Sequence, residues 1–137
     1  MYQNQEIGKK GEDIAADYLR KQGYHILERN FSCKLGEIDI IAIDTITKNE
    51  LVFIEVKSRK QSLYGKPAEA VNFRKTKHIY KVAEFFLMIH NLESSFIRFD
   101  VIEVLEKRSQ KIQIHHIKNA ILEKPDSLVT FIPSIHF

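Results

Sequence analysis

Apolar residues recur at helical spacing over the first twenty positions. Ile7, Gly11, Ile14, Ala15, Tyr18 and Leu19 fall on one stripe and predict a helix from about Gln5 to Lys21, with Gly23 as its stop. Glu12 breaks the pattern: it lies three, four and seven residues before Ala15, Ala16 and Leu19, so a carboxylate shares the stripe that should face the core. The pattern then changes to alternation. Strands are predicted at Tyr24 to Phe31, Glu37 to Ile43 and Leu51 to Lys57, with a turn over Ser32 to Gly36 and a polar connection from Asp44 to Glu50. A polar loop follows from Arg59 to Pro67. A second helix spans about Phe73 to His90, with Ile79, Val82, Ala83, Phe86 and Ile89 as its core stripe. Strands near Phe96 to Leu105 and Lys111 to Ile117 complete the body, joined by a turn at Lys107 to Gln110. The order is helix, three strands, helix, strands. The last segment, Asn119 to Phe137, is broken by Pro125 and Pro133 yet carries Leu128, Val129, Phe131, Ile132, Ile135 and Phe137, which suits a docked tail.

The second and third strands hold the candidate chemistry. Alternation puts Glu37, Asp39, Ile41 and Ile43 on one face of the second, and Leu51, Phe53, Glu55 and Lys57 on one face of the third. A symmetric hairpin centred on Thr47 sets Ile43 against Leu51, Ile41 against Phe53, and Asp39 against Glu55. The two apolar pairs support this register, because a slip of one residue would send the two patterns to opposite faces. Two carboxylates opposite each other, with side-chain roots about 5 Å apart, repel in an apolar setting. Protonation of one, or a cation between them, relieves the conflict. A hard divalent ion such as magnesium suits a few carboxylate oxygens and retained waters. Lys57, two residues beyond Glu55 and on its face, can orient an attacking hydroxide beside such a metal. A Glu-x-Lys step on a strand is ordinarily a solvated face. Here the strand reads Leu-Val-Phe-Ile-Glu-Val-Lys, apolar on both faces, which predicts a central strand covered on both sides.

Composition narrows the class. The 137 residues, 44% hydrophobic and 28% charged, fit one soluble globular domain. No apolar run approaches bilayer length, and Met1 to Lys10 lacks an apolar signal core, so the expected compartment is the cytoplasm and no membrane partner is expected. A single cysteine, Cys33, excludes an internal disulfide framework and a thiolate zinc cluster. The Asn30-Phe31-Ser32 glycosylation pattern means nothing without export. A net charge of +3 is compatible with a nucleic-acid partner without arguing strongly for one.

At Asp39 and Glu55-Val56-Lys57 the chain resembles the restriction-endonuclease-like PD-(D/E)XK superfamily, whose diffuse signature is an Asp, a variable gap, then Asp or Glu, any residue and Lys. The element order resembles that superfamily's core too. The resemblance narrows at Gly8, Gly11-Glu12, Ala15, Tyr18-Leu19, Gly23-Tyr24, Asn30, Gly36-Glu37-Ile38-Asp39, Phe53-Ile54-Glu55-Val56-Lys57, Arg59, Lys75 and Arg98-Phe99-Asp100. Together these resemble the YraN-like family, a bacterial family of scarcely characterised nuclease-like proteins, over about Glu6 to Ala120. The resemblance implies an α/β fold with a central mixed sheet flanked by helices, a nuclease domain over residues 1–120, and an unassigned tail over 121–137. It implies that Asp39 and Glu55 bind magnesium or manganese, with the Val56 carbonyl as a further ligand and Lys57 as the catalytic lysine. Glu12 corresponds to a first-helix carboxylate that some relatives, including archaeal Holliday-junction resolvases, use at the metal. Ile38 stands where a proline often precedes the Asp.

The implied activity is metal-dependent hydrolysis of DNA phosphodiesters, on branched or damaged DNA among other forms. The alternative is a non-catalytic nucleic-acid-binding or protein-interaction module that keeps the fold. A homodimer is compatible with either. Lys34, Arg59 and Lys75 are candidate phosphate contacts, Lys75 at the positive end of the second helix. With Lys9, Lys10, Lys60, Lys66, Arg74 and Lys77 they would form a basic rim if clustered. Arg98 and Asp100 share a strand face and read as a structural pair. His115 and His116, adjacent on a strand, point opposite ways and make no metal motif. Cys33 reads as an incidental turn residue.

Overall fold

The structure is a computed structural model that describes the backbone of residues 2–60, 73–106 and 111–120, and the side chains of 10–59, 78–106 and 111–120. The elements are α1 (Tyr2–Lys21), β1 (Tyr24–Cys33), β2 (Gly36–Asp44), β3 (Glu50–Lys60), α2 (Phe73–Ile89), β4 (Ile97–Glu106) and β5 (Ile112–Ile117). The five strands form one mixed sheet in the order β1-β2-β3-β4-β5. All neighbours are antiparallel except β3 and β4, which run parallel and are joined through α2. The expected α/β architecture with a mixed sheet is therefore present. The turn at 107–110, most of the 59–67 loop and the tail from 121 lie outside the described residues.

Each face of the sheet carries one helix. On one side Ala15, Ala16 and Leu19 of α1 pack on Ile40, Ala42, Val52, Ile54, Ile102 and Val104. On the other, Ile79, Val82, Ala83 and Phe86 of α2 pack on Ile41, Leu51, Phe53, Ile97 and Phe99. Successive residues of β3 thus enter opposite cores, as its uninterrupted apolar run requires. Phe53 stacks on Phe99 with centroids 5.4 Å apart and meets Phe86 edge-on. Truncating such a buried ring costs about 3–5 kcal/mol.

The helix ends follow capping chemistry. Gly23 takes φ +93, a left-handed conformation that suits glycine, and its N–H returns to the Arg20 carbonyl. At the end of α2, Asn91 takes φ 56, its N–H binds the Met88 carbonyl, and the Leu92 N–H binds the Leu87 carbonyl. This is a Schellman motif with asparagine in place of glycine. It corrects the expected core stripe: Ile89 is 47% exposed, and Leu92, carried back by the motif, packs on the core instead.

Candidate functional site

The β2–β3 hairpin has the expected register. Ile43 faces Leu51 and Ile41 faces Phe53, but the ladder stops at Ile40 and Ile54, one pair short of Asp39 and Glu55. On the other flank of β2, Arg29 pairs with Ile40 and Phe31 with Ile38, on either side of Asn30, which takes φ 55. Ile41 and Ile38 both enter the α2-side core, while Ile40 enters the α1-side core. Alternation therefore slips at Asp39, and the single face expected for Glu37, Asp39, Ile41 and Ile43 is broken there. The two strands splay, and a cleft of about 380 Å³ opens between them.

Glu12, Asp39 and Glu55 all line this cleft, with Val56, Ser58 and Ile79. Asp39 Oδ2 accepts the Val56 N–H at 2.8 Å, so its carboxylate occupies the place of a missing ladder partner. A strand residue points its N–H and C=O to the same side, so the Val56 carbonyl also faces this gap. Burial, opposed by the Val56 hydrogen bond and reinforced by the charges of Glu12 and Glu55 and a hydrogen bond with Glu12, pushes the Asp39 carboxyl up to about 6. Glu55 is 7% exposed, and the Lys57 ammonium lies 3.9 Å from its Oε1.

Gly11 leaves room for Glu12 to reach the cleft. A methyl group on its Cα would sit 1.7 Å from Ser58 Oγ and 3.0 Å from Ser58 Cβ, so glycine lets α1 approach β3 this closely without displacing the Ser58 side chain. One residue beyond Glu12, Asp13 pairs with Arg29 of β1 at 2.7 Å. The carboxylate that looked misplaced on an apolar stripe thus points at other carboxylates.

The other sequence candidates are spread out. Lys34 is exposed in the turn between β1 and β2. Arg59 is half-buried on β3, and its charge faces Glu103 of β4. The Lys75 side chain lies outside the described residues, as do those of Lys9, Lys60, Lys66, Arg74 and Lys77. Lys10 is exposed on α1, and Cys33 is a free, partly buried thiol.

Arg98 and Asp100 do pair, and the pair is the centre of a larger buried network. Arg98 donates to both Asp100 oxygens at 2.9 Å, to Asp44 Oδ2 and Glu50 Oε1 at 3.1 Å, and to the Tyr24 hydroxyl at 2.6 Å. His116 Nε2 lies 2.7 Å from Asp100 Oδ2, on the face opposite His115 as parity requires. Burial alone would raise the Asp44 and Asp100 carboxyls. Arg98, with the Ile46 N–H for Asp44 and with His116 for Asp100, overrides it and holds both below the ordinary aspartate range. Asp100 also lines the cleft, on its inner side. Sequence reasoning missed Asp44, Glu50, Tyr24 and His116 as members; the one available signal was Asp44 and Glu50 opposing each other across the hairpin.

The donor set fits a hard cation in an open site. Among the described residues no group of three or more His, Cys, Asp and Glu side chains is placed to hold a metal ion by itself. Magnesium needs no cage, since it keeps several waters and takes one or two carboxylates. Crowded carboxylates with one raised acid are the arrangement a divalent ion would neutralise.

The fold and cleft define a class: an α/β protein with a five-stranded mixed sheet between two helices and an acidic cleft where two strands part. Residues 11–104 match the Uncharacterised protein family UPF0102, and the chain belongs to that family, also called YraN-like. A UPF0102 protein of Clostridium botulinum strain 657 is 55% identical over 123 residues, covering 87% of this chain and 96% of the relative. One from Caldicellulosiruptor saccharolyticus is 44% identical over 116 residues, covering 84% and 96%. Among solved structures, the crystal structure of SSO0001 aligns with 90% of this chain at 16% identity and a TM-score of 0.37; the chain spans 54% of that protein's length. No helix among the described residues is long and apolar enough to cross a membrane.

Proposed function

We propose that the chain is a magnesium- or manganese-dependent DNA endonuclease of the restriction-endonuclease-like superfamily. The observation that carries this reading is the meeting of Glu12, Asp39 and Glu55, from α1, β2 and β3, in one cleft beside the Lys57 ammonium. DNA as the substrate rests on the superfamily resemblance of Asp39 and Glu55-Val56-Lys57, with branched or damaged DNA as the preferred form.

Asp39 and Glu55 would hold the cation, with Glu12 and the Val56 carbonyl completing its protein ligands. When bound, the cation polarises a phosphoryl oxygen and lowers the pKa of a coordinated water. Lys57 supplies a positive charge beside Glu55 that orients the water for in-line attack and offsets charge developing on the phosphate. Hydrolysis adds the water oxygen to phosphorus and breaks one phosphorus–oxygen ester bond. The water's protons are shared between the solvent-facing side of the cleft and the departing sugar oxygen. Arg59, Lys34 and Lys75 are the side chains assigned to neighbouring phosphates.

The test is incubation with duplex, single-stranded and branched DNA in magnesium or manganese. Cleavage by the wild type that is lost in Glu55→Ala and Lys57→Ala supports the assignment; cleavage that survives either substitution overturns it. A second reading, a non-catalytic nucleic-acid-binding or interaction module, is favoured because no group of three or more His, Cys, Asp and Glu side chains among the described residues is placed to hold a metal ion. Calorimetry separates the two. Salt-sensitive DNA binding without any magnesium or manganese binding selects the second.

A further inference from the structure

We propose that Tyr18, His116 and Asp100 form a clamp that seats α1 on the sheet and thereby positions Glu12 at the carboxylate cleft. The role of Glu12 in this proposal rests on the metal-site reading above.

The Tyr18 hydroxyl lies 3.0 Å from His116 Nδ1, and the two rings meet edge-on at 5.5 Å and 82°. His116 Nε2 lies 2.7 Å from Asp100 Oδ2. An ionised carboxylate only accepts, so Nε2 carries the hydrogen; in the neutral ring Nδ1 is then free to accept from Tyr18. Asp100 is itself immobilised. It is fully buried, Arg98 grips both of its oxygens, and the Asn119 N–H donates to Oδ1 at 3.0 Å. The same Asp100 lines the cleft. One fixed carboxylate therefore marks the inner side of the site and anchors the chain of hydrogen bonds that reaches α1.

Glu12 lies six residues before Tyr18, about 9 Å along a stiff helix. Glu12 also shares a hydrogen bond with Asp39 of β2, and Ala15, Ala16 and Leu19 bury α1 on the sheet, but neither is a directional link from the helix to β5. The Asp13–Arg29 pair is partly solvent-exposed and ties α1 to β1, not to β4 or β5. The Gly11–Ser58 approach permits closeness without pulling the helix in. Among the described contacts, the hydrogen-bonded chain through His116 is the directional tie of α1 to β4 and β5. Tyr18 and His116 are positioning residues in this scheme and touch neither metal nor substrate.

Two substitutions cut the same link with little loss of packing. Tyr18→Phe removes only the hydroxyl. His116→Gln keeps a donor for Asp100 near the position of Nε2 and loses the acceptor for Tyr18. Tyr24→Phe is the control, since it removes the hydroxyl that Arg98 reaches while keeping the ring packed beside α1 and the Tyr18–His116–Asp100 links in place. Manganese affinity is read by electron paramagnetic resonance. The backbone amides of Val56, which donates to Asp39, and of Ser58, which abuts Gly11, are read by NMR without metal. Tyr18→Phe and His116→Gln should each weaken manganese binding by about tenfold, the double variant no more than either alone, and both amides should shift. Tyr24→Phe should leave both readouts at wild-type values. Unchanged amides in Tyr18→Phe and His116→Gln, or equal effects from Tyr24→Phe, overturn the clamp. If the wild type binds no manganese, the metal reading fails, and the amide shifts alone decide whether the clamp exists.

Discussion

Asp39→Asn should make the metal-free protein more stable at alkaline pH. The Asp39 carboxyl is raised from its ordinary value near 3.8 to about 6, mainly by burial and then by the charges of Glu12 and Glu55. A folded-state pKa above the unfolded one means that the folded protein holds this proton more tightly. The stability so gained is complete below about 3.8 and is lost as pH rises through about 6. At pH 8 the ionised carboxylate is then penalised by about 3 kcal/mol relative to its unfolded state. Asparagine keeps an oxygen to accept the Val56 N–H and removes the charge. In EDTA at pH 8 the substitution should raise stability by about 2–3 kcal/mol, or roughly 10 °C in melting temperature for a domain of this size. The gain should shrink towards zero near pH 4. Added manganese should reverse the order, because only the wild type then gains binding free energy. Thermal melts at three pH values, with EDTA and with manganese, check this. If Asp39→Asn melts at or below the wild-type temperature at pH 8 in EDTA, the ionised Asp39 carries no net penalty in the fold and the argument that it calls for a cation fails.

Four further outcomes follow from the packing and the buried network. Gly11→Ala gains helix propensity worth about 1 kcal/mol but drives a methyl group into Ser58, so chemical denaturation should show a net loss of about 1–2 kcal/mol, and Ser58→Gly should restore most of it. Arg98→Met strands the carboxylates of Asp44, Glu50 and Asp100, and its unfolding free energy should fall by about 3–5 kcal/mol. Asp44 and Asp100 have depressed carboxyls, so their stabilisation is present above about pH 4 and is lost as pH falls through their folded values; wild-type melting temperature should drop steeply below about pH 4, and Arg98→Met should flatten that limb. Asn91→Ala places a side chain with no local hydrogen bond in the left-handed region and should cost about 1 kcal/mol in denaturant titrations.

The hairpin register was legible because both strands are apolar on faces that must match; a slip would have exposed isoleucines on one strand and buried polar groups on the other. Glu55 and Lys57 followed from parity along a regular strand. Asp39 was legible as a candidate residue but not in its mode of delivery. Its position depends on a break in alternation beside the left-handed Asn30, and asparagine can adopt or avoid that conformation without leaving a mark on hydrophobic periodicity. Glu12 announced itself as a charge on an apolar stripe, whereas the close approach of α1 to β3 is recorded only as a glycine in mid-helix. The Arg98 network was legible as one pair. Its remaining members come from β1, β2, β3 and β5, and beyond the Asp44–Glu50 hairpin pair no local pattern couples residues 24, 44, 50 and 116. The exposure of Ile89 was hidden because periodicity continues past the point where Asn91 reverses the chain.

Among the described residues the parallel junction of the sheet also separates contacts that are near along the chain from one that is distant. The helix and antiparallel strands of residues 2–60 meet mostly through short connections, whereas β4 must return past α2 to reach β3. Low-contact-order pairings form fast and crossover pairings form slowly. Glu12, Asp39, Glu55 and Lys57 all belong to the first part, and Arg98, Asp100 and His116 all belong to the second. During folding the acidic cleft can therefore exist in outline before the elements that lock its geometry arrive. A folding intermediate of this chain would carry its negative charges already gathered and not yet held in place.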